Sequence, residues 1–374
     1  AENADFAQLV EKSGLIFVGP HSNSIRLLGN KLAARRIAKE AGVPTVPGSE
    51  GALESSADAR FVVKRTGFPV MVKAAAGGGG RGIRLAHSIE ELERLIPQAR
   101  AEAQAAFGDG SLYIEKAVGH ARHIEVQILG DGERVVHCFE RECSLQRRRQ
   151  KLWEEAPSPS VSADLRARLC GAAVALALAV NYRGAGTLEF LYDEGSGDFY
   201  FLEMNTRIQV EHPTTEFITG IDLVREMIRV AAGEPLRLRQ EEIGMQGHAI
   251  EVRINAEDPS ANFAPLPGTV GTLRIPGGPG VRFDSLLYSG YSVPPFYDSL
   301  LGKLIVWDED RQSALERLKR ALSELEVGGI KTTKPLYEAL VRNDDVRAGR
   351  FDTGWLERWL ADHYPVPIGE VAKR

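Results

Sequence analysis

Residues 189–212 place acidic and amide side chains at the even spacing that a metal site on a β-strand requires. The stretch reads EFLYDEGSGDFYFLEMNTRIQVEH. Glu203 and Asn205 are two residues apart, so on a strand both point to one face. If Glu189 pairs with Glu203 on a neighbouring strand, the two opposed carboxylates repel each other unless a cation lies between them. Carboxylate and amide oxygens are ligands that suit Mg²⁺.

The next alternating residues suit a small anion. Arg207, Gln209 and Glu211 supply a cation, an amide and a further carboxylate. The competing interpretation of the whole stretch is a solvated polar face, because polar-out alternation is common on half-exposed strands. A register slip of one residue would also separate Glu189 from Glu203.

A β-hairpin is expected to position these side chains. Runs rich in Phe, Leu and Tyr flank EGSGD at residues 194–198, which is typical of a turn between paired strands. Other strands are predicted at residues 68–73, 82–85, 112–116, 123–129, 134–141 and 247–255. Helices are predicted at residues 22–41, 56–66, 88–106, 163–180, 222–232 and 312–325, and mostly over 334–364.

A glycine-rich loop follows Lys73 and is suited to phosphate. Residues 70–83 read VMVKAAAGGGGRGI, and glycine lets backbone N–H groups approach phosphate oxygens closely. In a Walker A loop the lysine follows the glycines, and a dinucleotide fingerprint needs a helix directly after them, so this loop is neither. A surface hairpin loop is the alternative, but the lysine on the entering strand favours a phosphate-binding lid.

A basic run at residues 140–151, ERECSLQRRRQK, is a second candidate for anion binding. The alternative is a solvated charged face that Glu154 and Glu155 neutralise. Because the chain as a whole is acidic, a basic cluster close to a metal and phosphate site favours anion binding. His123, near the start of a predicted strand, is by itself more often structural than functional.

Composition gives no support for nucleic-acid or membrane binding. The 374 residues are 43% hydrophobic and carry a net charge of -5, so two or three globular domains are expected. The longest apolar run, residues 172–180, is too short to cross a bilayer, and no signal peptide is visible. Three cysteines without CxxC spacing argue against a zinc site and fit small core residues in a cytoplasmic protein.

Together these motifs resemble the ATP-grasp superfamily and, within it, the biotin carboxylases. The resemblance covers nearly all of the chain and rests on KAAAGGGGRG at residues 73–82, ERECSLQRRRQK at 140–151, GTLEF at 186–190, EMNTRIQVEHPTTE at 203–216 and RINAEDP at 253–259. It implies an α+β fold, in which a small glycine-loop lid accompanies a larger mixed, mainly antiparallel sheet. It also implies ATP, Mg²⁺ or Mn²⁺, and biotin on a carrier protein as substrate.

The resemblance assigns roles at the nucleotide site. Contacts to the phosphates and ribose of ATP are expected from Lys31, Lys73 and the amides of Gly79 and Gly80. The segment that holds adenine would include Glu115, Lys116 and Val118, with His123 and Gln146 nearby. The metal ion that bridges the phosphates would be bound by Glu189, Glu203 and Asn205.

The same resemblance implies a bicarbonate site and a residue for biotin. Bicarbonate would be bound by Lys151, Arg207, Gln209, the Val210 backbone and Glu211. Glu211 would remove the proton of bicarbonate, which is a poor nucleophile until then. The expected product is carboxyphosphate, which a closing lid would protect from water. Arg253 would stabilise the enolate of biotin.

Two departures from the family concern the N terminus and one nucleotide contact. Only an αβ remnant of the family's N-terminal domain is expected, with a helix at residues 5–13 and a strand at 15–19, which suggests a fragment or a truncated gene. The expected domains are this remnant with a linker helix (1–44), the lid (45–118), and the core with the C-terminal domain (119–374). Arg149 stands where the family often has histidine, which alters the nucleotide contact expected there.

Two other functions remain open. A catalytically silent nucleotide-binding subunit with an assembly role would fit the short N terminus. Another ATP-grasp ligase, acting on an amine or amino acid, would share the metal pattern but not TRIQVEH at residues 206–212. Because no biotinylation motif is present, the expected partners are bicarbonate, a separate biotin carboxyl carrier protein or segment, a carboxyltransferase and a second copy of the chain. The final carboxyl acceptor is not specified.

Overall fold

Helices and strands alternate irregularly along the described part of the chain, residues 1–75 and 83–364 of a computed structural model. The helices are α1 (Ala4–Lys12), α2 (Ser22–Gly29), α3 (Lys31–Glu40), α4 (Ser56–Thr66), α5 (Ile89–Phe107), α6 (Ala163–Ala179), α7 (His212–Thr219), α8 (Leu223–Ala231), α9 (Arg311–Glu324), α10 (Lys334–Leu340), α11 (Asp344–Arg347) and α12 (Trp355–His363). The strands are β1 (Val70–Ala74), β2 (Ile83–Ala86), β3 (Leu112–Lys116), β4 (Ala121–Asp131), β5 (Val135–Arg147), β6 (Gln150–Ala156), β7 (Arg183–Asp193), β8 (Asp198–Asn205), β9 (His248–Asn255), β10 (Glu257–Asp258), β11 (Ala264–Pro265), β12 (Gly268–Thr269), β13 (Leu273–Arg274), β14 (Val281–Ser285), β15 (Ser292–Val293), β16 (Leu300–Asp308) and β17 (Glu326–Val327). This content confirms the predicted α+β class. Among the described helices, none has both the length and the apolar character needed to cross a bilayer.

Near the N terminus the structure differs from two predictions. The strand expected at residues 15–19 does not form, and its apolar side chains are exposed, Leu15 by 65% and Ile16 by 67%. The helix expected at residues 22–41 is divided into α2 and α3 by Asn30, which is extended. Asn30 Oδ1 accepts the N–H of Ala33 at 3.0 Å, so it caps α3 and makes Lys31 the first helical residue.

Two compact units share the chain in alternating segments. The first contains Ala1–Cys138, Ala163–Gln209 and Asp222–Glu242, and the second contains Phe139–Ser162, Val210–Ile221 and the residues from Ile243 onward. The domain boundaries expected after residues 44 and 118 remain a prediction.

In the first unit, β2, β1 and β3 form an antiparallel sheet in that order. Val70 and Val72 alternate into a core shared with Leu92 and Ile96 of α5, and α4 contributes to the same core. Lys73 therefore faces the opposite side of the sheet. Two helices and three strands thus form a small two-layer structure, with the helices on one face of the sheet.

A second antiparallel group in the first unit consists of β4, β7 and β8. Its inner face is apolar: Phe190 and Phe201 are fully buried and their rings meet edge to face at 6.3 Å. The turn between β7 and β8 has Gly197 at φ 76, a conformation that favours glycine. The predicted hairpin is confirmed.

In the second unit, antiparallel pairings join β14, β16, β9, β6 and residues of β5 in that order. α9 covers one face, where Leu315 and Leu318 pack in the same core as Val252 and Leu304. Because Val252 points towards this core, its neighbours Glu251 and Arg253 on β9 face the other side.

The basic run forms a tight hairpin between β5 and β6. Arg147 pairs with Gln150, and the two residues between them, Arg148 and Arg149, have φ values of 49 and 64. A two-residue turn with both φ values positive matches the twist of paired strands. β6 was not predicted, because its sequence QKLWEEA is polar for a strand whose Trp153 is 1% exposed.

Candidate active site

Three strands of the first unit bring three carboxylates into one row. Glu125 of β4 lies opposite Glu189 of β7, and Glu189 lies opposite Glu203 of β8. A β-bulge follows Glu189, between it and Phe190. The register confirms the predicted pairing of Glu189 with Glu203 and adds Glu125. Such a row is unstable unless donors or cations lie among its members.

Amide and imidazole groups surround the buried Glu189. Its Oε1 accepts hydrogen bonds from Asn205 Nδ2 at 2.9 Å and from Gln209 Nε2 at 3.0 Å. Its Oε2 lies 3.1 Å from His123 Nε2. His123 and Glu125 are two residues apart on β4, so they share the face of the row. The structure therefore brings together four residues that were predicted from separate motifs or positions.

Glu203 is the most open carboxylate of the row. Its side chain is 36% exposed, whereas the side chain of Glu189 is 10% exposed. Lys31 Nζ lies 3.5 Å from Glu203 Oε2. The cap at Asn30 fixes where α3 begins, and thereby places Lys31 beside this carboxylate.

The chemistry of the row fits a divalent cation. His123, Glu125 and Glu189 each offer a ligand atom, and these atoms lie within 4.8 Å of one another. Glu203 and the Asn205 side-chain oxygen add further hard ligands of the kind that Mg²⁺ takes. Glu125 was missed from the sequence. Its signal is the polar alternation of HIEVQ at residues 123–127 within an otherwise apolar strand.

Arg207 is held between Glu2 and Asn205. Its Nε donates to Glu2 Oε2 at 2.8 Å, and its Nη2 donates to Asn205 Oδ1 at 3.0 Å. The other oxygen of Glu2 accepts the N–H of Thr206 at 3.0 Å. Glu2 was not predicted, and no local motif marks it, because its partners lie more than two hundred residues along the chain.

In the lid sheet, Lys73 and Glu115 contact each other. Glu115 is 3% exposed and ion-pairs with Lys73 through Oε2 and with Arg35 through Oε1. Arg35 was not predicted. Two cations therefore share one carboxylate, so a net positive charge remains at this position.

The predicted adenine segment runs from the end of β3. Lys116 is the last residue of β3, and its Nζ donates to the Phe68 carbonyl at 2.6 Å. Val118 follows two residues later and is half-buried. The predicted phosphate contacts of Gly79 and Gly80 lie outside the described residues.

In the second unit, Glu211 is buried between two cations. Its Oε1 accepts a hydrogen bond from Lys151 Nζ at 2.7 Å, and its Oε2 accepts one from Arg253 Nη2 at 2.9 Å. Glu211 is 2% exposed. Burial opposes its charge, but Lys151, Arg253 and Arg141 outweigh burial and hold the pKa of Glu211 well below its ordinary value. Glu211 is therefore ionised at neutral pH.

Arg253 is fixed through both its side chain and its backbone. Its Nε and Nη2 lie 2.7 and 2.5 Å from Glu154 Oε1. Its carbonyl accepts hydrogen bonds from Thr333 Oγ1 at 2.8 Å and from Tyr337 Oη at 2.6 Å. Burial disfavours the charge, yet Glu154 and Glu211 raise the pKa of Arg253 above its ordinary value. The guanidinium is therefore a permanent cation.

Hydrogen bonds within the second unit also hold two other predicted residues, Val210 and Gln146. Lys303 Nζ donates to the Val210 carbonyl at 2.7 Å, directly before Glu211. Gln146 is 6% exposed, and its Nε2 donates to the Cys143 carbonyl at 2.7 Å. Lys303 was not predicted, although it lies opposite Arg253 in the β16–β9 register.

Direct contacts and strand register place ten of the predicted residues in two groups, one in each unit. In the first unit Lys31, His123, Glu189, Glu203, Asn205, Arg207 and Gln209 are linked through the carboxylate row. In the second unit Lys151, Glu211 and Arg253 are in direct contact. The predicted bicarbonate residues thus fall into both groups.

Comparisons with known proteins agree with this chemistry. Residues 30–239 match the family described as carbamoyl-phosphate synthase L chain, ATP binding domain, and residues 251–358 match the biotin carboxylase C-terminal domain. The biotin carboxylase of Nostoc sp. is 52% identical over 358 residues, which cover 96% of this chain and 80% of the relative. A pyruvate carboxylase subunit from Methanothermobacter thermautotrophicus is 50% identical over 360 residues, which cover 96% and 73%.

A solved structure shows the same fold. The biotin carboxylase domain of the Hydrogenobacter thermophilus 2-oxoglutarate carboxylase, a dimer in complex with MgADP, ADP and bicarbonate, superposes with a TM-score of 0.92 at 48% identity. The match covers 97% of this chain and 80% of that one. These similarities confirm the ATP-grasp fold, and they show that the chain belongs to the biotin carboxylase family.

Proposed function

We propose that the two groups of residues divide the work of a biotin carboxylase, the ATP-dependent ligase that carboxylates biotin with bicarbonate. The observation that carries this proposal is Glu211, an ionised carboxylate buried between Lys151 and Arg253. A buried base between two cations suits an anionic substrate that must lose a proton, and bicarbonate is such a substrate.

The proposed role of Glu211 depends on an exchange of partners. A carboxylate whose pKa is far below the working pH accepts a proton poorly. Bicarbonate bound against Lys151 would take over part of the attraction between that lysine and Glu211. The pKa of Glu211 would then rise, and the base would become effective only when its substrate is present.

The first unit is proposed to bind the nucleotide. Glu189, Glu203 and Asn205 would hold Mg²⁺, or Mn²⁺ with the same oxygen ligands, which neutralises charge on the phosphates of ATP. The relative from Hydrogenobacter thermophilus binds MgADP, which supports the choice of Mg²⁺. Lys31 and Lys73 would contact phosphates, as would the amides of Gly79 and Gly80, which lie outside the described residues.

Further contacts are proposed for adenine and for the anion. The adenine segment would comprise Glu115, Lys116 and Val118, with His123 and Gln146 nearby. Arg207, Gln209 and the Val210 backbone would join Lys151 in binding bicarbonate. Arg253 would then stabilise negative charge on the ureido oxygen of the biotin enolate.

The partners follow from the same proposal. Biotin would arrive on a carboxyl carrier protein and leave for a carboxyltransferase. The relatives named for pyruvate and 2-oxoglutarate carboxylases support such an assembly, and the dimer of the latter supports a homodimer. A cytoplasmic location remains a prediction.

Glu211→Gln provides the decisive test. Purified protein is mixed with ATP, Mg²⁺, bicarbonate and free biotin, and biotin-dependent phosphate release is measured. We expect the variant to lose at least roughly a hundredfold in rate, the usual contribution of a general base. Glu309→Gln, which alters an exposed carboxylate of the same unit, serves as control. A folded wild-type protein without biotin-dependent release, or a Glu211→Gln variant with full activity, would contradict the proposal.

A further inference from the structure

A buried pair of carboxyl groups lies beside Arg253 in the second unit. Glu154 of β6 and Glu251 of β9 are direct partners in the antiparallel register. Their side chains therefore share one face of the sheet, with Cβ atoms about 5 Å apart. Both residues are 0% exposed. Two carboxylates that are so close together and so fully buried from water cannot both remain ionised unless cations or hydrogen-bond donors stabilise both charges.

Hydrogen bonds account for only one of the four oxygens. Glu154 Oε1 accepts from Arg253. Within the described residues, no hydrogen-bond partner reaches Glu154 Oε2 or either oxygen of Glu251. An ionised carboxylate that is buried without a donor is strongly destabilised, whereas a protonated one carries its own donor.

Glu251 forms no ion pair with any other described residue, because the cations nearest to it are bonded to other groups. Arg253, two residues along β9, bonds to Glu154 and Glu211. Lys303, on the adjacent strand β16, donates to the Val210 carbonyl and lies 3.8 Å from Asp284 Oδ2.

α7, one of the two helices that pack on β9, adds no donor for Glu251 among the described residues. α7 carries His212 and Glu216. Glu216 accepts a hydrogen bond from Arg282 at 2.7 Å and lies 3.7 Å from His212. Burial raises the pKa of Glu251 well above its ordinary value; Lys303 opposes the shift, and Glu154 adds to it.

We propose that Glu251 is a positioning residue, which carries a proton at neutral pH and donates it in a hydrogen bond to Glu154 Oε2. Burial also raises the pKa of Glu154, to about 7, although Arg253 opposes the shift. The proton is assigned to Glu251 because Arg253 bonds to Glu154. Glu154 then holds the negative charge of the pair and directs its other oxygen to Arg253. With Glu154 on one side and Glu211 on the other, the guanidinium stays in place for biotin. A second charge on the pair would draw the guanidinium away from Glu211. This inference rests on the proposed role of Arg253.

Two substitutions distinguish the effect of the Glu251 proton from the effect of side-chain packing. Glu251→Gln keeps the size of the side chain and a donor, but cannot ionise, whereas Glu251→Leu keeps an apolar volume without a donor. We expect Glu251→Gln to retain biotin-dependent phosphate release within about threefold, and Glu251→Leu to lose roughly tenfold or more in kcat, as misplaced catalytic groups do. The KM for ATP should stay unchanged in both variants.

The pH profile tests the proton itself. In the wild type, activity should fall at alkaline pH as Glu251 loses its proton, and Glu251→Gln should lack that fall. The infrared carbonyl band of a buried carboxylic acid should be present in the wild type and absent from Glu251→Gln. Equal losses in both variants, an unchanged alkaline fall, or no such band in the wild type would overturn the inference. The band does not depend on activity, so its absence is distinguishable from a failure of the role proposed for Arg253.

Discussion

Lys151 contributes most among the cations to keeping Glu211 ionised. It is the largest of the cationic influences on the Glu211 carboxyl and contacts it at 2.7 Å. The side chain of Lys151 is 11% exposed, so water screens the pair little. Under the proposed function, one amino group would serve two tasks: it would keep Glu211 ionised, and it would offer a site for the bicarbonate that Glu211 deprotonates.

Lys151→Met tests this double role. We expect the KM for bicarbonate to rise by roughly tenfold, which corresponds to the loss of one charged hydrogen bond, while the KM for ATP stays unchanged. Steady-state kinetics at varied bicarbonate checks the result, with Lys319→Met, an exposed lysine of α9, as control. A rise in the KM for ATP alone would show that Lys151 serves the nucleotide instead.

Arg253→Ala tests the division between bicarbonate activation and biotin carboxylation. We expect carboxylation of biotin to fall by about a hundredfold or more, because a fixed donor to the developing charge is lost. A slow phosphate release without biotin should persist, because Lys151 and Glu211 remain. Comparing the two rates in one preparation gives the answer, and an equal loss of both would count against a role for Arg253 at biotin.

At the scale of elements, Glu155 links β6 to β9 and α9. It is 0% exposed, and its Oε2 lies 2.7 Å from His248 Nε2 and 2.6 Å from Arg311 Nε. Arg311 also donates to the carbonyls of Val346 and Arg347. Burial opposes ionisation, yet Arg311 and His248 lower the pKa of Glu155 from 4.5 to about 2. The link therefore depends on the charge of a single carboxylate.

Glu155→Gln should weaken this link in a way that depends on pH. Because folding lowers the pKa of Glu155, its ionised carboxylate contributes its full stabilisation above pH 4.5. This contribution is lost as the pH falls towards 2. We expect the variant to lose roughly 3 kcal/mol of unfolding free energy at pH 7, with a shallower acid dependence. Urea unfolding at several pH values measures both. A variant that keeps the wild-type slope between pH 4.5 and 2 would contradict the assignment.

At the scale of the whole molecule, the chain passes from one compact unit to the other five times, after residues 138, 162, 209, 221 and 242. Neither unit can therefore be isolated by a single cut. The lid sheet is different, since β1, β2, β3, α4 and α5 lie within residues 45–118 and enclose a core of their own. Independent folding needs such a core.

A fragment of residues 45–118 should therefore fold alone and unfold cooperatively on heating. A matched fragment of residues 45–107 lacks β3, which pairs with β1 along its full length, and should not fold. Circular dichroism with thermal scans compares the two. If neither fragment shows a cooperative transition, the predicted lid is not an autonomous domain.

Prediction from sequence succeeded where the geometry follows local spacing. Glu203 and Asn205 are two residues apart on one strand, and the turn between β7 and β8 lies where the glycines place it. The pairing of Glu189 with Glu203 depended on a register that spacing left open, and the bulge after Glu189 is part of that register.

The residues and strands that were predicted wrongly or not at all depend on contacts that only tertiary structure creates. Glu2 and Arg35 reach their partners from distant positions, and nothing in their neighbouring sequence marks them. β6 is polar yet central, because Glu154 and Glu155, on its two faces, are buried in ion pairs. The apolar run at residues 15–19 looked like a strand, but no neighbouring strand pairs with it in the described chain.

The double anchoring of Arg253 has a consequence for the entropy of binding. An arginine side chain that is free to rotate loses about 2 kcal/mol of rotamer freedom when a ligand immobilises it. In this protein, the contacts of the guanidinium with Glu154 and Glu211 have already imposed that loss on folding. If Arg253 stabilises the biotin enolate as proposed, the enolate would meet a guanidinium that is already immobilised, so little further rotamer entropy would be lost when the two charges interact.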